Sequence, residues 1–283
     1  MDRLSGEELD ARLRQFLAED VGRRDVTTET TVSAEARAQG ELVARSDCVV
    51  SGLPVARRVF ELLDPKLGWE TEATAGARVE AGGCLVRLSG RARAILTAER
   101  VALNLLQRMC GIATETRRFV DAVSGTHCRV LDTRKTAPGL RPFDRQAVRD
   151  GGGTNHRHDL AEMVLIKDNH RRLAGGVARA VAAARAGAPK LSIEVEVESE
   201  EELREALAAG ADRILIDNQN PEIVARWCAI ARQGVRSPFI EASGNIGLST
   251  VRAYAEAGAD AVSVGALTHS VRAADISLEI SPR

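Results

Sequence analysis

Short runs of β-branched and aliphatic residues recur from about residue 128 onward, with segments of helical character between them. Six runs are legible, at 129–132, 163–166, 191–197, 213–216, 239–242 and 261–264. Their starts lie roughly 20 to 35 residues apart, which is enough for a helix and two loops in each interval. The spacing therefore predicts repeated β-α units, arranged as a barrel or a wound parallel sheet.

Two of these units also resemble each other in sequence. The segments LREALAAGADRILID (203–217) and VRAYAEAGADAVSVG (251–265) each pass from an amphipathic helix through Ala-Gly-Ala-Asp into a strand. Helix starts are marked by Ser199 with Glu202 three residues later, as in a capping box, and by Pro221 at a first turn. The internal repeat strengthens the prediction of a barrel or wound sheet.

The first hundred residues have a different pattern, in which short apolar stretches alternate with turns that contain Gly or Pro. We expect a separate α+β domain there. The following segment, AERVALNLLQRMCGIAT (98–114), places Val101, Leu105 and Met109 on one helical face and Arg100 on another. It predicts an amphipathic helix at the domain boundary.

Charged, hydroxyl or glycine residues follow most of the predicted strands, at the end where α/β barrels assemble their active sites. These residues are Arg134, Lys135, Lys167, Asp217, Ser243, Gly244 and Gly265. In the third strand, Glu194 and Glu196 alternate with apolar residues, so both carboxylates share one face. Since helices cover the outside of a barrel, this face should point inward, where carboxylates need cationic partners. We expect Arg134, Lys135 and Lys167 to supply them.

Charge and cysteine usage exclude several classes of protein. The 283 residues include 39 basic and 40 acidic side chains, so the formal net charge of -1 offers no basic excess to a nucleic acid. The five cysteines form no CxxC pair, which argues against a disulfide framework and a structural zinc site and favours a reducing, cytoplasmic location. No apolar run approaches the about 20 residues of a membrane span, and the N-terminal segment lacks the apolar core of a secretory signal.

The segment DTRKTAPGLRPFDRQAVRDGGGTNHRHDLAEMVLIKDNH (132–170) concentrates cations, glycines and hydrogen-bonding side chains beyond what a core requires. Together with EVEVES, LIDN, EASGNI and SVGALTHS, and with EDVGRRDVTTETT and SGLPVARRVFELLD nearer the N-terminus, it resembles the quinolinate phosphoribosyltransferases, the carboxylating nicotinate-nucleotide pyrophosphorylases of NAD biosynthesis. The resemblance covers essentially the whole chain. It implies a type II phosphoribosyltransferase fold, with an N-terminal α/β sandwich (1–113), an incomplete, seven-stranded α/β barrel (114–268) and a C-terminal tail (269–283) that returns to the first domain.

The activity implied by the resemblance is the transfer of the phosphoribosyl group of phosphoribosyl pyrophosphate to quinolinate with decarboxylation. The products are nicotinate mononucleotide, pyrophosphate and CO2, and the reaction needs no covalent enzyme intermediate and no organic cofactor. Quinolinate carries two adjacent carboxylates, and the planar guanidinium groups of Arg134 and Arg157 suit them as bidentate partners. The resemblance places Thr133, Lys135 and His156 beside these arginines.

For the phosphoribosyl donor, the resemblance implies that Lys167 neutralises the pyrophosphate and that Glu196 and Asp217 bind the ribose hydroxyls. With Lys135, these three are the candidate catalytic residues. Mg2+ should accompany the donor, held mainly through its pyrophosphate and with Glu196 and Asp217 as candidate ligands, since hard carboxylate oxygens suit this ion. Glu194 is expected to have a structural role or to support the residues that contact the substrate.

Two short glycine turns, Ser243-Gly244-Asn245 and Val264-Gly265-Ala266, should bind the 5′-phosphate of the donor through backbone amides. Arg100 matches a family position that reaches the active site of the other subunit, so the resemblance implies a homodimer with shared active sites. From periodicity alone, Arg100 fits a solvated helix face equally well.

Two segments, His158-Asp159 and Pro142-Phe143-Asp144, depart from the family pattern, and we expect them to affect loop conformation rather than the reaction. Two other interpretations stay open. One is a paralogous barrel from molybdenum-uptake operons, which usually departs from the DTRK and IKDNH patterns that are intact here. The other is a non-catalytic nucleotide-sensing barrel, which need not retain the inward carboxylates and the lysines together.

Overall fold

The computed structural model describes residues 5–234 and 237–282, and the chain divides into two compact units. The first unit takes the described residues up to Arg117, Thr136–Gly152 and those from Thr268 onward. The second unit comprises Arg118–Lys135 and Gly153–Leu267. The predicted domain limits at 113 and 268 stay predictions, and residues 1–4 and 283 of the predicted outer segments lie outside the described residues.

The elements are numbered along the chain. The helices are α1 (Gly6–Val21), α2 (Val26–Thr31), α3 (Leu53–Leu63), α4 (Ala92–Ala122), α5 (Arg141–Asp150), α6 (Asp168–Ala174), α7 (Val177–Gly187), α8 (Glu200–Ala208), α9 (Pro221–Ala231), α10 (Val251–Glu256) and α11 (Ala266–His269). The strands are β1 (Arg37–Ala44), β2 (Cys48–Val49), β3 (Gly68–Thr71), β4 (Arg78–Val79), β5 (Cys84–Arg91), β6 (Arg129–Leu131), β7 (Val164–Ile166), β8 (Ile193–Val197), β9 (Arg213–Asp217), β10 (Phe239–Ser243), β11 (Ala261–Ser263) and β12 (Ile276–Pro282). Within the described residues, none of the helices has the length and apolar character to cross a membrane.

The first unit is built on a four-stranded antiparallel sheet in the order β12-β1-β5-β3, and β2 and β4 pair separately. The C-terminal strand forms an edge of this sheet, since Ile276 lies opposite Ala44. Helices α1, α3 and α4 share one hydrophobic core with the sheet, and Leu13, Phe60 and Ile95 are fully buried in it. Burial of such large apolar side chains is the main stabilising contribution to this unit.

Helix α4 is longer than the amphipathic segment predicted at 98–114. The predicted apolar face is confirmed, because Val101, Leu105 and Met109 are buried. Arg108 donates to both carboxylate oxygens of Asp144, at 2.7 and 2.9 Å. Burial raises the pKa of Asp144, and the bidentate pair with Arg108 opposes that rise.

The segment Pro142-Phe143-Asp144 lies in the first turn of α5, so the expectation that it affects a loop is wrong. Proline is favoured at a helix start because its nitrogen needs no hydrogen-bond partner there. Phe143 and Asp144 are fully buried, which fixes this turn in the core of the first unit. The departure from the family pattern is therefore accommodated by packing.

The second unit is built on a six-stranded parallel sheet in the order β6-β11-β10-β9-β8-β7. All six predicted strands are present close to the predicted positions, and the α/β class is confirmed. The first strand, β6, pairs with the last, β11, and Thr154 forms a single parallel bridge with Leu131 on the other side of β6. Within the described residues, the incomplete barrel therefore has six paired strands and this isolated bridge, where the resemblance implied seven strands.

The repeated Ala-Gly-Ala-Asp sequence has a structural reason. The aspartate of each copy accepts hydrogen bonds from the first part of a neighbouring strand and from an arginine, which ties the strand starts together. The donors are Ile193 N and Arg185 for Asp212, at 2.9 and 2.8 Å, and Ile240 N and Arg232 for Asp260, at 2.8 and 2.9 Å.

The predicted helix starts are also present in this unit. Ser199 caps α8 by accepting a hydrogen bond from Glu202 N, and Pro221 is the first residue of α9. The capping box itself is incomplete, since the carboxylate of Glu202 accepts from Glu198 N instead of Ser199 N.

Candidate active site

Alternate residues of the central strands point to opposite faces of the parallel sheet. Ile193, Val195, Ile214, Ile216 and Ile240 belong to the hydrophobic core of the second unit. Their neighbours along the strands therefore point into the barrel. The polar residues on this inward face are Glu194, Glu196, Arg213, Asp217, Glu241 and Ser243, and Leu215 and Phe239 share the face. The prediction of inward carboxylates is confirmed, and the barrel interior holds several charged side chains where most such barrels are filled with apolar ones.

An ion pair joins two neighbouring strands at their C-terminal ends. The ammonium of Lys167, which follows β7, pairs with the carboxylate of Glu196 on β8. The Lys167 side chain is 45% exposed, whereas that of Glu196 is 9% exposed. The predicted role of Lys167 as a cationic partner of the inward carboxylates is thus confirmed.

Two turns interlock beside this ion pair, at the ends of β9 and β10. Asn218 N donates to Ser243 O at 2.9 Å, and the side-chain amide of Asn245 donates to Asn218 Oδ1 at 3.2 Å. Asn218 also donates to Asp217 Oδ2 at 2.7 Å. A Cβ on Gly244, whose φ is 94°, would lie 2.1 Å from Asn218 Oδ1, so only glycine fits there.

Backbone strain is concentrated in these same two turns. Among the described residues other than glycine, only Asn218 and Asn245 have positive φ, at 53° and 51°. Such residues cluster at ligand-binding sites, where surrounding contacts hold the strained backbone in place. Asn218 was not among the predicted site residues, although it belongs to the LIDN segment and asparagine is the residue most often found in this conformation.

The loop that carries Asn155, His156 and Arg157 is held by a buried aspartate. Asp132, fully buried at the end of β6, accepts hydrogen bonds from His156 N at 2.7 Å and from the side chain of Asn155 at 2.6 Å. The guanidinium of Arg157 donates to Met163 O at 3.0 Å. The loop is therefore anchored to residues that adjoin β6 and β7, the strands on either side of it along the chain.

Beneath this loop lies a buried cluster of four charged groups, His156, Glu194, Arg213 and Glu241, which we call the inner cluster. Nε2 of His156 is 3.2 Å from Glu194 Oε2 and 3.3 Å from Glu241 Oε2. Arg213 spans the same two carboxylates, with Nε 3.1 Å from Glu194 and Nη2 3.2 Å from Glu241. Glu194 thus finds cationic partners in His156 and Arg213, which the sequence did not suggest.

The inner cluster sets the protonation state of its members. Burial lowers the pKa of His156, but the hydrogen bonds to Glu194 and Glu241 outweigh burial and raise the pKa to about 9. The amide of Arg157 lies 2.7 Å from Nδ1 and opposes a second ring proton. The two carboxylates, 3.2 and 3.3 Å from Nε2, also attract a positive charge on the ring, so we expect an imidazolium at neutral pH. Burial would raise the pKa of Glu194, but His156 and Arg213 outweigh burial and lower it.

The same atoms have the spacing of a metal site. One nitrogen of His156 and one oxygen each of Glu194 and Glu241 lie within 4.8 Å of one another. Arg213, however, already pairs with both carboxylates, so with a charged His156 the cluster contains two positive and two negative groups. A divalent cation would meet repulsion from Arg213 at this position. We therefore interpret the inner cluster as an internal ion network.

A cavity of about 300 Å³ borders the inner cluster at the N-terminal ends of the strands. Its walls include His156, Arg157 and Arg213, together with Arg129 and Phe239. The guanidinium of Arg213 lies 4.0 Å from the ring centroid of Phe239, and that of Arg129 lies 5.1 Å from it. Stacking on the ring restricts the orientation of Arg213 toward its carboxylate partners.

The structure gathers most of the predicted site residues in the second unit. They follow or end its parallel strands, or lie on the loop between α5 and β7: Thr133, Arg134, Lys135, His156, Arg157, Lys167, Glu196, Asp217, Ser243, Gly244, Asn245, Val264, Gly265 and Ala266. Arg100 lies in the first unit, on an exposed face of α4, and its role stays a prediction. His158 stands 3.4 Å from Asp159 within its own loop.

Glu241 and Arg213 escaped the sequence reasoning, although each occupies an inward position of its strand. The only sequence signal was the spacing by even numbers of residues, which puts Arg213 on the same face as Asp217, and Glu241 on the same face as Ser243. It was weak, because Leu215 and Phe239 share that face. Asp132 escaped as well, because an aspartate at a strand end has no pattern that reveals its burial.

Comparison with known proteins assigns the chain to a family. The models of the quinolinate phosphoribosyl transferase N-terminal and C-terminal domains match residues 25–110 and 112–279. The nicotinate-nucleotide pyrophosphorylase (carboxylating) of Mycobacterium leprae is 43% identical over 273 residues, 95% of this chain and 95% of the relative. A probable nicotinate-nucleotide pyrophosphorylase (carboxylating) of Bacillus subtilis is 39% identical over 270 residues, 95% of this chain and 92% of the relative. The crystal structure of NadC from Streptococcus pyogenes has a TM-score of 0.93 at 38% identity, covering 99% of each chain. The chain therefore belongs to the quinolinate phosphoribosyl transferase family.

Proposed function

We propose that this protein is a nicotinate-nucleotide pyrophosphorylase (carboxylating), which transfers the phosphoribosyl group of phosphoribosyl pyrophosphate to quinolinate and releases pyrophosphate and CO2. The observation that carries the proposal is the arrangement at the C-terminal ends of the parallel strands. There the Lys167–Glu196 pair stands on strands next to the interlocked turns that hold Asp217 and Gly244. Two relatives bear this name, one of them as a probable enzyme, and the chain matches nearly their whole length.

The quinolinate site is proposed around Arg134 and Arg157. Burial and the positive charge of Arg134 both lower the pKa of Arg157, so the two guanidinium groups are close enough to repel each other. A ligand with two adjacent carboxylates would relieve that repulsion, and each carboxylate matches one planar guanidinium. Thr133 and Lys135 follow the same strand as Arg134 and complete the proposed substrate contacts.

The donor site is proposed at Lys167, Glu196 and Asp217. Lys167 supplies positive charge for the pyrophosphate, and the two carboxylates can accept hydrogen bonds from ribose hydroxyls. The carboxylate oxygens of Glu196 and Asp217 also suit Mg2+, which prefers oxygen ligands and is usually bound by one or two carboxylates together with substrate phosphates. When bound, the ion would neutralise the leaving pyrophosphate. The turns 243–245 and 264–266 offer backbone amides to the 5′-phosphate.

The proposed chemistry follows from where charge develops. Departure of pyrophosphate leaves positive charge at the anomeric carbon, and the pyridine nitrogen of quinolinate, held in line by the arginines, donates its lone pair to form the new bond. The resulting pyridinium draws electrons from the neighbouring carboxylate, whose C–C bond breaks to release CO2. The electron pair left on the ring carbon takes up a proton from water. Cationic side chains around the ring stabilise the negative charge during this step.

A homodimer with shared active sites is proposed from the family resemblance, with Arg100 as the residue that crosses between subunits. A cytoplasmic location is proposed from the cysteines, all five of which are free thiols. The molybdenum-operon and sensing alternatives receive no support from the names of the relatives.

The test is direct incubation of the purified chain with quinolinate, phosphoribosyl pyrophosphate and Mg2+, followed by chromatography of the products. Nicotinate mononucleotide should appear, and nicotinate should be a much poorer substrate. Loss of one charge-assisted contact costs about 1.5 to 3 kcal/mol, which corresponds to roughly tenfold or more in affinity. Equal efficiency with nicotinate, or no mononucleotide at all, would contradict the proposal.

A further inference from the structure

We propose that Arg213 and Glu241, together with Glu194, are positioning residues for the acceptor substrate: they hold His156 and thereby orient Arg157 toward the carboxylates of quinolinate. The inference rests on the proposed function and deepens it. It assigns a role to the inner cluster, which lies among the inward residues toward the N-terminal part of the barrel strands and behind the residues that are proposed to contact ligands.

The ring of His156 is enclosed by protein groups. Nε2 faces Glu194 and Glu241, Nδ1 faces the amide of Arg157, and the side chain is only 8% exposed. Both ring nitrogens therefore lie against protein atoms. Such a ring acts on a substrate through its neighbours, which is why we assign His156 a positioning role in place of the direct contact expected from the sequence.

The position of His156 influences the orientation of the Arg157 side chain. The two residues are consecutive, and the backbone of His156 is fixed by Asp132 at 2.7 Å. The guanidinium of Arg157 is fixed at its far end by Met163 O at 3.0 Å. Between these two anchors, the direction of the Arg157 side chain depends on the His156 ring, which the inner cluster holds from below. A bidentate contact with a carboxylate requires such a fixed guanidinium plane.

The positive and negative charges of the inner cluster balance each other. Two buried carboxylates close to the site of a dianionic substrate would repel that substrate through a medium of low dielectric constant. Arg213 and the charged ring of His156 neutralise Glu194 and Glu241, so the inner cluster as a whole exerts little repulsion. Removing Arg213 would leave an unbalanced negative charge beneath the acceptor site, which is strongly unfavourable for buried ion pairs.

The groups that face His156 come from several elements. They are Asp132 after β6, Glu194 on β8, Arg213 on β9, Glu241 on β10 and Arg157 on the same loop. The residues proposed for the donor, Glu196 and Asp217, stand further along β8 and β9 and do not take part in the inner cluster's ion pairs among the described residues. A defect in the inner cluster should therefore affect the acceptor and spare the donor.

The test compares Glu241→Gln and Glu241→Leu with the unmodified enzyme. Glu241→Leu should raise KM for quinolinate by about tenfold, the effect of losing one charged hydrogen-bond partner, and leave KM for the donor within about twofold. Glu241→Gln, which keeps an acceptor oxygen of the same shape, should restore part of the loss. It should also lower the pH above which quinolinate affinity declines, because His156 then has one carboxylate fewer. Glu205→Gln, on the exposed face of α8, is the matched control and should change neither KM.

The outcomes separate this inference from the proposed function. If the unmodified enzyme does not convert quinolinate, the proposed function fails. If it does, and Glu241→Gln changes both KM values equally, or neither, or leaves the pH profile in place, the positioning role is overturned while the function stands. Circular dichroism of each variant establishes that it is folded, and Glu241→Gln alone decides the matter if Glu241→Leu does not fold.

Discussion

Lys167 and Glu196 form an ion pair that joins β7 to β8 at the C-terminal ends of these strands. The carboxylate is almost fully buried, whereas the ammonium is nearly half exposed. If these residues bind the donor as proposed, we expect Lys167 to turn toward the pyrophosphate and Glu196 to accept a hydrogen bond from the ribose. Contacts with the donor would then replace the ion pair.

Replacing Lys167 by methionine tests this relationship. We expect donor affinity to fall by ten- to a hundredfold, because a phosphate contact is lost and Glu196 is left without its cation. Quinolinate affinity should change much less. Lys190→Met, at an exposed position after α7, is the control and should bind the donor normally. Calorimetric titration of each variant with the donor and with quinolinate provides the measurement, and loss of quinolinate binding alone would mean that the two halves of the site are reversed.

Gly244→Ala should damage the donor site through the backbone. The new Cβ would stand 2.1 Å from Asn218 Oδ1, and the backbone there has a φ of 94°. We expect a loss of ~1–3 kcal/mol in the free energy of unfolding and weaker binding of the 5′-phosphate. Gly247→Ala, where no atom lies within 4 Å of the added carbon, should be close to neutral. Denaturant titration and donor KM would be measured for both, and similar results for the two variants would refute the packing argument.

His156 should make the stability of the protein depend on pH. Its pKa is raised to about 9 in the folded chain from an ordinary value of 6.5, so the folded state binds more protons between these two values. The stabilisation is complete below about pH 6.5 and is lost as the pH rises toward 9, by up to about 3 kcal/mol. Comparing the unmodified chain with His156→Gln removes the contribution of other groups. The difference in unfolding free energy should shrink from pH 6 to pH 9.5, and a constant difference would show that folding does not raise the pKa of the ring.

Arg100 should complement a defect in the other subunit if the active site is shared. Arg100→Ala and Arg134→Ala should each be nearly inactive as homodimers. After mixing and subunit exchange, each mixed dimer contains one site with both changes and one site with neither, so about a quarter of all sites should be restored. If the subunits demonstrably exchange and no activity returns, Arg100 does not cross between subunits.

The sequence was informative wherever a local pattern carries the signal. The β-branched runs located β6 to β11, and the alternation in IEVEV placed Glu194 and Glu196 inside the barrel. The partners of Glu194 were harder to predict from the sequence, because Arg213 and Glu241 come from β9 and β10 and meet Glu194 only when the three strands are in register. The interlocking of Asn218 with Gly244 is likewise a contact between two turns that are distant in the chain. The single bridge of Thr154 with Leu131 could not be predicted either, because the two residues are 23 positions apart in the chain.

In the proposed reaction, phosphoribosyl transfer and decarboxylation occur on the same substrate molecule. An isotope experiment tests this with two samples of quinolinate, labelled with 13C either in the carboxylate next to the ring nitrogen or in the other carboxylate, together with the donor and Mg2+. We expect the label next to the nitrogen to appear as CO2 in equal amount to the pyrophosphate released, and the other label to remain in the mononucleotide. CO2 release without pyrophosphate, pyrophosphate release without CO2, or label lost from the wrong position would contradict the proposed reaction.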